Sequence, residues 1–370
     1  MDKYNTRMTI NKWFSYINLE KLSPSSQKAI HAFNRYAKKL TFSKVLMLFL
    51  FAINEETESL RHLDQQLVHP QLKMVIGVDT ISYSQLSRAL KALDATVLLE
   101  IFNQLLGMVH QKTHISRQNK VYLVDSSTFS FSKHSYPWAD FRPTKSGIKL
   151  HLKVCLMEEG MVHPEQFEIS NASEHDHDYL DVFVNQPLAT YVFDRGYIDF
   201  ESFDQMKWEG YFFVSRIKKN TVIHVVENLD IPKDKDSDVL SDQYVLLGGR
   251  GYLTSLMRLV TIRRKGRSDL RIITNDVFKT AEEIGNLYHS RLQIELFFKH
   301  MKQHMTIKTY YSKSEVGVEN QLIMAMIVYL LTLLIKLELN LKPTIFQILR
   351  HLRSVKYESY AYFKALFEPG

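Results

Sequence analysis

The spacing of apolar residues changes near Asn119, and this change divides the chain into two parts that must fold differently. Before it, apolar side chains recur every three or four residues, which is typical of amphipathic helices. After it, the segments 120–131 and 148–157 are β-branched and alternate apolar with polar side chains, which predicts strands. In the first part, helices are predicted at 40–51, 60–67, 85–93 and 96–109, with Ser84 as the N-cap of the third.

The second part has the pattern of an α/β core. Its predicted elements run strand, strand, strand, helix, strand, helix, strand, at 120–131, 148–157, 161–169, 176–184, 189–193, 199–208 and 210–217. We expect the first three strands to form a meander in which the third pairs with the second. Residues 218–275 contain short strand-like runs without helical periodicity, which predicts a β-rich insertion. A strong helix at 280–305 and an apolar helix at 319–339 follow.

The basic excess of the chain lies entirely in its first third. The net charge is +7, and by our count residues 1–120 hold 16 Lys and Arg against 9 Asp and Glu. The remaining residues are balanced in charge. Such a basic helical segment suits a surface for DNA or RNA, although many proteins are mildly basic without binding either.

The composition also excludes several classes of protein. The single cysteine, Cys155, excludes an internal disulfide and any multi-cysteine metal site, and it is typical of a reduced, intracellular protein. The first residues lack the apolar core of a signal peptide. The two longest apolar runs, 45–53 and 322–335, are shorter than the roughly 20 residues that cross a bilayer, so we expect buried core helices and no membrane association.

Two aspartates stand where strands ordinarily exclude them. Asp125 lies within the apolar strand 120–131, and Asp194 follows the apolar strand 189–193. Burying a carboxylate costs free energy unless it is paired or bound to a metal. Because ligands collect at the carboxyl ends of strands in α/β sheets, the two aspartates could converge on one site. Alternatively, Asp125 is a strand-end turn residue and Asp194 is the N-cap of the next helix.

A third isolated carboxylate, Glu295, lies on the predicted helix 280–305. It shares one helix face with an aromatic hydroxyl and three cations, Tyr288, Arg291, Lys299 and Lys302. Ion pairs between residues four apart would explain these charges as a solvated face. A reactive site would also explain them, because Mg²⁺ prefers carboxylate ligands and two such ions clamp the reacting oxygens of phosphodiester transfer. Cations alongside would then hold the phosphate backbone.

The spacing Y-x2-R-x3-E-x6-K that begins at Tyr288 matches the Tyr-Arg-Glu-Lys signature of bacterial insertion-sequence DDE transposases. The segments YLVDSSTF around Asp125 and VFDRGYIDF around Asp194 resemble the two acidic motifs of the insertion-sequence-four family. The resemblance covers roughly residues 115–340. It implies an α/β fold with an RNase H-like catalytic core, interrupted by a β-rich insertion and preceded by an α-helical N-terminal domain.

The resemblance also implies the reaction, the site and the partners. Asp125, Asp194 and Glu295 would be the catalytic residues and the ligands of two Mg²⁺ ions, for which Mn²⁺ can substitute. They would catalyse cleavage and strand transfer of insertion-sequence ends, in cut-and-paste DNA transposition. The partners would be double-stranded DNA, as terminal inverted repeats and as target, and a second copy of the chain in the synaptic complex, in the bacterial cytoplasm at the nucleoid. The expected DNA contacts are Tyr288, Arg291, Lys299, Lys302, Lys149, His151, Arg88 and Lys91.

Some of these assignments have plain alternatives. Lys149 and His151 alternate along one strand face, so a solvent-facing sheet edge explains them equally well. The segment 175–178, His-Asp-His-Asp, has the composition of a metal cluster. An Asp-rich helix start explains it better, because Asp near a helix N-terminus interacts favourably with the dipole.

We expect five parts along the chain: a helical basic DNA-binding domain at 1–115, the first part of the RNase H-like core at 116–217, the insertion at 218–275, the second part of the core with the Glu helix at 276–345, and a C-terminal tail at 346–370.

Two other functions need the same residues or fewer. An RNase H-like nuclease without strand transfer would use the same carboxylates, and a catalytically inactive DNA-binding repressor would need none of them.

Overall fold

The computed structural model describes residues 8–113, 120–142, 144–197, 200–231, 237–248, 255–305 and 310–368. The chain divides into two compact units. The first comprises Met1–His114, Phe131–Ala139 and Phe298–Gly370, and the second comprises Ile115–Ser130 and Asp140–Phe297. The first unit therefore combines helices from both ends of the sequence.

The described helices and strands have the following bounds. The helices are α1 Thr9–Phe14, α2 Pro24–Asn34, α3 Phe42–Asn54, α4 Leu60–Gln66, α5 Pro70–Ile76, α6 Tyr83–Ala92, α7 Ala95–Thr113, α8 Leu180–Phe183, α9 Phe200–Trp208, α10 Ala281–Ser290, α11 Leu292–His304, α12 Glu315–Glu338, α13 Ile345–Val355 and α14 Tyr360–Ala365. The strands are β1 Val121–Ser132, β2 Asp140–Arg142, β3 Lys145–Leu156, β4 Val162–Asn171, β5 Thr190–Phe193, β6 Phe212–Arg216, β7 Ile223–Asn228, β8 Val239–Leu247, β9 Met257–Ile262 and β10 Leu270–Thr274.

The first unit is built around α12, the apolar helix expected to be a core element. α1, α3, α6, α7 and α13 pack against it, and nearly all of its side chains are buried. The Asn320 amide donates to the carbonyls of Leu90 and Leu93, which satisfies orphan acceptors at the end of α6. By length and composition α12 could cross a membrane, as could the bent pair α6 and α7 taken together. In α12, 94% of the most apolar window is buried within the protein, as in the core helix of a globular fold.

The second unit is organised on a ten-stranded sheet. Its order is β2-β3-β1-β5-β6-β10-β9-β8-β7, and β4 also pairs with β3. β5 is parallel to β1 and to β6, whereas the four strands from β10 to β7 continue the sheet as antiparallel neighbours. The mixed α/β class and the pairing of the third predicted strand with the second are confirmed.

Several predicted elements differ from the structure. Ser82, and not Ser84, is the N-cap of α6, where it forms a capping box with Gln85. The single helix predicted at 280–305 is two helices that meet at Arg291, because the hydrogen bonds there run to the third preceding residue. Helices α2 and α5 were not predicted, and the predicted tail contains α13 and α14.

Candidate active site

Asp125 and Asp194 occupy neighbouring positions on two adjacent parallel strands. Val124 of β1 and Phe193 of β5 form the last pair between these two strands, and the two aspartates follow them directly. Adjacent strands lie about 4.8 Å apart, so the backbones of the two aspartates are close neighbours where the pairing of β1 with β5 ends. The structure therefore brings together two carboxylates that are far apart in the sequence.

Asp125 is a mostly buried carboxylate held by two donors. Its Oδ1 accepts a hydrogen bond from the Ser126 backbone N–H at 2.8 Å, and its Oδ2 accepts one from Nη1 of Arg291 at 3.0 Å. Burial raises the pKa of Asp125 to about 6, although the Arg291 charge opposes this shift. The charges of Asp194 and Glu295 raise the pKa further, because like charges nearby disfavour ionisation.

Asp194 lies in a tight turn that depends on glycine. Its Oδ1 accepts the Gly196 backbone N–H at 2.5 Å, and its carbonyl accepts the Tyr197 N–H at 3.2 Å. Asp194 thus caps the short 3₁₀ turn Arg195–Tyr197, in line with the capping alternative. A Cβ on Gly196 would lie 2.9 Å from Asp194 Oδ1, so the turn leaves no room for a side chain beside this carboxylate.

Glu295 is joined to Asp125 through one guanidinium. Arg291, at the junction of α10 and α11, donates from Nη2 to Glu295 Oε1 while its Nη1 bonds Asp125. The Arg291–Glu295 ion pair that the helix spacing allowed is therefore present, and the assignment of Arg291 as a DNA contact stays a prediction. The Tyr288 ring centroid lies 6.0 Å from the Arg291 guanidinium carbon. Burial raises the pKa of Tyr288, so its hydroxyl remains protonated.

The other expected DNA contacts lie in different surroundings. Lys299 and Lys302 follow Glu295 by four and seven residues on α11. Lys299 is exposed, and burial lowers the pKa of the half-buried Lys302. Arg88 and Lys91 are exposed on α6 in the first unit.

Lys149 and His151 both face a carboxylate that sequence reasoning did not select, Asp176. Lys149 Nζ lies 3.2 Å from Asp176 Oδ1, and His151 Nδ1 lies 3.7 Å from the same oxygen. The His151 ring is fully buried and stacks on Tyr179 at 3.8 Å between centroids. A direct DNA contact by a fully buried ring would require its neighbours to move, so we withdraw that assignment for His151.

The segment 175–178 forms a turn of the kind that its Asp content favours. A 3₁₀ turn spans Asp176–Tyr179, and the exposed His177 pairs with Asp178 at 2.9 Å. No local sequence signal distinguishes Asp176 from Asp178, because only the tertiary fold brings Asp176 beside β1.

The three carboxylates form a donor set that suits a divalent cation. Asp125, Asp194 and Glu295 offer oxygen ligands only, which is the chemistry that Mg²⁺ prefers. Their mutual repulsion contributes to the raised pKa of Asp125, and a bound cation would relieve it. The Arg291 guanidinium already places positive charge between Asp125 and Glu295, so this position stabilises a cation.

Comparison with known proteins identifies the family of the chain. The model of the family described as Transposase DDE domain matches residues 116–331, which include all three carboxylates. The chain is 26% identical to the "Probable transposase for insertion sequence element IS5377" of Geobacillus stearothermophilus, over 80% of this chain and 76% of that protein. It is 29% identical to the candidate transposase y4zB of Sinorhizobium fredii, over 64% of this chain and 66% of that protein. It is 24% identical to a candidate transposase for the insertion sequence element IS4SA of a Synechocystis species, over 77% of this chain and 80% of that protein.

The family match covers more than half of the chain, and the relatives align over most of it. Members of the family use divalent metal ions and act on DNA. The chain therefore belongs to the DDE transposases of bacterial insertion sequences, enzymes that cleave DNA and transfer its strands.

Proposed function

We propose that the protein catalyses cut-and-paste transposition of an insertion sequence of the insertion-sequence-four type, with Asp125, Asp194 and Glu295 as its catalytic, metal-binding residues. The observation that carries this proposal is the placement of the three carboxylates on neighbouring elements. Asp125 and Asp194 are next to each other in the β1–β5 register, and one guanidinium joins Asp125 to Glu295. Carboxylates that can hold divalent ions, with cations beside them for the phosphate backbone, suit phosphodiester transfer.

The strand order supports an RNase H-like core. Along the path β4-β3-β1-β5-β6, β4 and β3 are antiparallel neighbours. β5 is parallel to β1, and β6 is parallel to β5. Strands β7 to β10 join this core through the pairing of β10 with β6, which supports the interpretation of residues 218–275 as an insertion. The five-part division into 1–115, 116–217, 218–275, 276–345 and 346–370 stays a proposal about evolutionary and functional units.

In the proposed mechanism, the chain's own residues set up the charge of the site. Two Mg²⁺ ions, or Mn²⁺ in their place, would activate the attacking water or 3′-hydroxyl and stabilise the leaving oxygen when bound to the carboxylates. To bind cations, Asp125 and Glu295 must share or release the Arg291 guanidinium. The planar guanidinium of Arg291, with its several N–H donors, then suits phosphate oxygens of the DNA. The Tyr288 ring is packed beside it. Lys299 and Lys302, which follow Glu295 on α11, would supply further positive charge to the DNA backbone.

The first unit is proposed to bind the ends of the element. On α6, Leu86 and Leu90 are buried, whereas Arg88 and Lys91 face solvent. This amphipathic arrangement leaves one basic helix face open to DNA. By resemblance to the family, we expect two copies to assemble on paired ends in the cytoplasm. The mass of the complex with end DNA would test this.

The experiment that tests the function is a strand-transfer assay with duplexes carrying the element's terminal repeats. The wild-type chain with Mg²⁺ should nick the end and join it to target DNA. Cleavage without joining would favour the nuclease, and binding without cleavage would favour the repressor. Asp194→Asn is the control that should retain binding and lose both reactions.

A further inference from the structure

Asp176 is a carboxylate beside the candidate site that belongs to neither acidic motif. We propose that Asp176 is a positioning residue for the site, acting through Ser126 on Asp125. This inference rests on the proposed function, because it assigns Asp176 a role in shaping the metal-binding carboxylates. Asp176 lies in the 3₁₀ turn Asp176–Tyr179, and its contacts join that turn to β1 and β3.

The first step of the argument is that Ser126 lies between two carboxylates. Its backbone N–H donates to Asp125 Oδ1 at 2.8 Å, and its hydroxyl donates to Asp176 Oδ1 at 2.7 Å. Fixing the Ser126 hydroxyl restrains this residue of β1, and so restrains the N–H that orients Asp125. Ser126 is one hydrogen bond removed from Asp125, and Asp176 is two removed. Outer partners that orient metal ligands typically change metal affinity by about 10-fold to 100-fold when they are removed.

The second step is that the charge of Asp176 is already balanced by the protein. Lys149 Nζ lies 3.2 Å from Asp176 Oδ1 and also donates to the Glu174 carbonyl at 2.6 Å. The Lys149 side chain is only 12% exposed, so the ion pair is mostly shielded from water. Because Oδ1 of Asp176 is occupied by a hydroxyl and an ammonium, we assign it a structural role and not that of a metal ligand.

The third step concerns the opposite side of Asp176. A Cβ on Gly196 would lie 3.7 Å from Asp176 Oδ2 and 2.9 Å from Asp194 Oδ1. Gly196 is thus flanked by both carboxylates. Asp176 therefore borders the Asp194 turn on one side and bonds Ser126 on the other. The connection that carries the proposal is the one to Asp125 through Ser126.

The test measures Mn²⁺ affinity of the full-length, DNA-free protein by electron paramagnetic resonance, so that no turnover is needed. Asp176→Ala and Ser126→Ala should each weaken Mn²⁺ binding by about 10-fold to 100-fold. The double variant should lose little more than either single variant, because both break the same connection. Asp178→Ala is the matched control: it removes the same charge two residues away, from a side chain that is 54% exposed and contacts His177. It should bind Mn²⁺ as the wild type does.

Two results would overturn the proposal. Mn²⁺ affinity of Asp176→Ala within about twofold of wild type would show that Asp176 does not position the site. A loss as complete as that of Asp125→Ala would make Asp176 a ligand. If Asp176→Ala fails to fold, the Mn²⁺ affinity of Ser126→Ala tests the proposal, because this substitution removes only one half-buried hydroxyl. A wild-type chain that neither binds Mn²⁺ nor transfers strands would refute the proposed function itself, which separates the two failures.

Discussion

Replacing Asp125 with Asn should remove a pH-dependent part of the stability of the metal-free protein. Asp125 is mostly buried, and its pKa is about 6 in the folded chain compared with the ordinary value of 3.8. The folded state therefore holds this proton more tightly than the unfolded state does. The corresponding stability is fully present below about pH 4 and is lost as the pH rises through about 6.

The size of the effect follows from these two pKa values. The difference of about two units corresponds to roughly 3 kcal/mol over the whole titration, at about 1.36 kcal/mol per unit. When the pH is lowered from about 7.5 to about 5, the linkage relation raises the free energy of unfolding of the wild type by about 1.4 kcal/mol. Asp125→Asn does not gain this stability. The absolute stability of the variant also includes the loss of the Arg291 ion pair. The informative quantity is therefore how the difference between the wild-type and variant free energies of unfolding changes with pH.

Urea unfolding with EDTA at both pH values measures this difference. Asp230→Asn, at an exposed carboxylate, should follow the wild type. Adding Mg²⁺ at the higher pH should stabilise the wild type and leave Asp125→Asn unchanged, because a ligand that binds only the folded state raises its stability. If the wild-type minus variant difference is the same at both pH values, the raised pKa and the burial argument behind it are refuted.

Three further results are expected. Asp194→Asn and Glu295→Gln should each abolish Mg²⁺-dependent cleavage and keep end-DNA binding, as measured by parallel nicking and gel-shift assays, since each removes one ligand charge at nearly constant shape. Gly196→Ala should lower the cleavage rate at least about 10-fold, because its Cβ would lie 2.9 Å from the Asp194 carboxylate, and saturating Mg²⁺ should not restore it. Arg88→Ala and Lys91→Ala should each reduce the log–log salt slope of end-DNA binding by about one, and an unchanged slope for both would remove α6 from the proposed DNA surface.

The elements that carry the site were predictable because their sequence patterns are local. The apolar run before Asp125 and the one before Asp194 are strong strand signals, and β1 and β5 form there. Their parallel pairing is a tertiary property, but a carboxylate within β1 and another directly after β5 each need a partner or a cation to offset the cost of burial. Two of the helices that were missed, α2 and α5, are short or weakly apolar, and each begins at a proline that sequence reasoning did not use as a start signal.

Asp176 was not predictable from the sequence for a different reason. Its segment contains two aspartates in equivalent local positions, and one of them is exposed. What separates Asp176 from Asp178 is the approach of Ser126, Lys149 and His151 from β1 and β3, which depends on the sheet register. Periodicity and capping rules carry no information about which residue of a turn meets a distant strand.

Arg291 shows why the two interpretations of the charged helix face are compatible. One interpretation treats the face as a row of ion pairs between residues four apart, and the other treats it as a phosphate-binding surface. In the metal-free chain, Arg291 pairs with Asp125 and Glu295, which lowers the repulsion between carboxylates that the pKa of Asp125 reports. Divalent cations at the same carboxylates would compete with the guanidinium, because both would neutralise the same charges. Under the proposed function, the arginine that pairs with Asp125 and Glu295 is also the group that metal binding would make available to a DNA phosphate, so both interpretations of the helix face apply to the same residue.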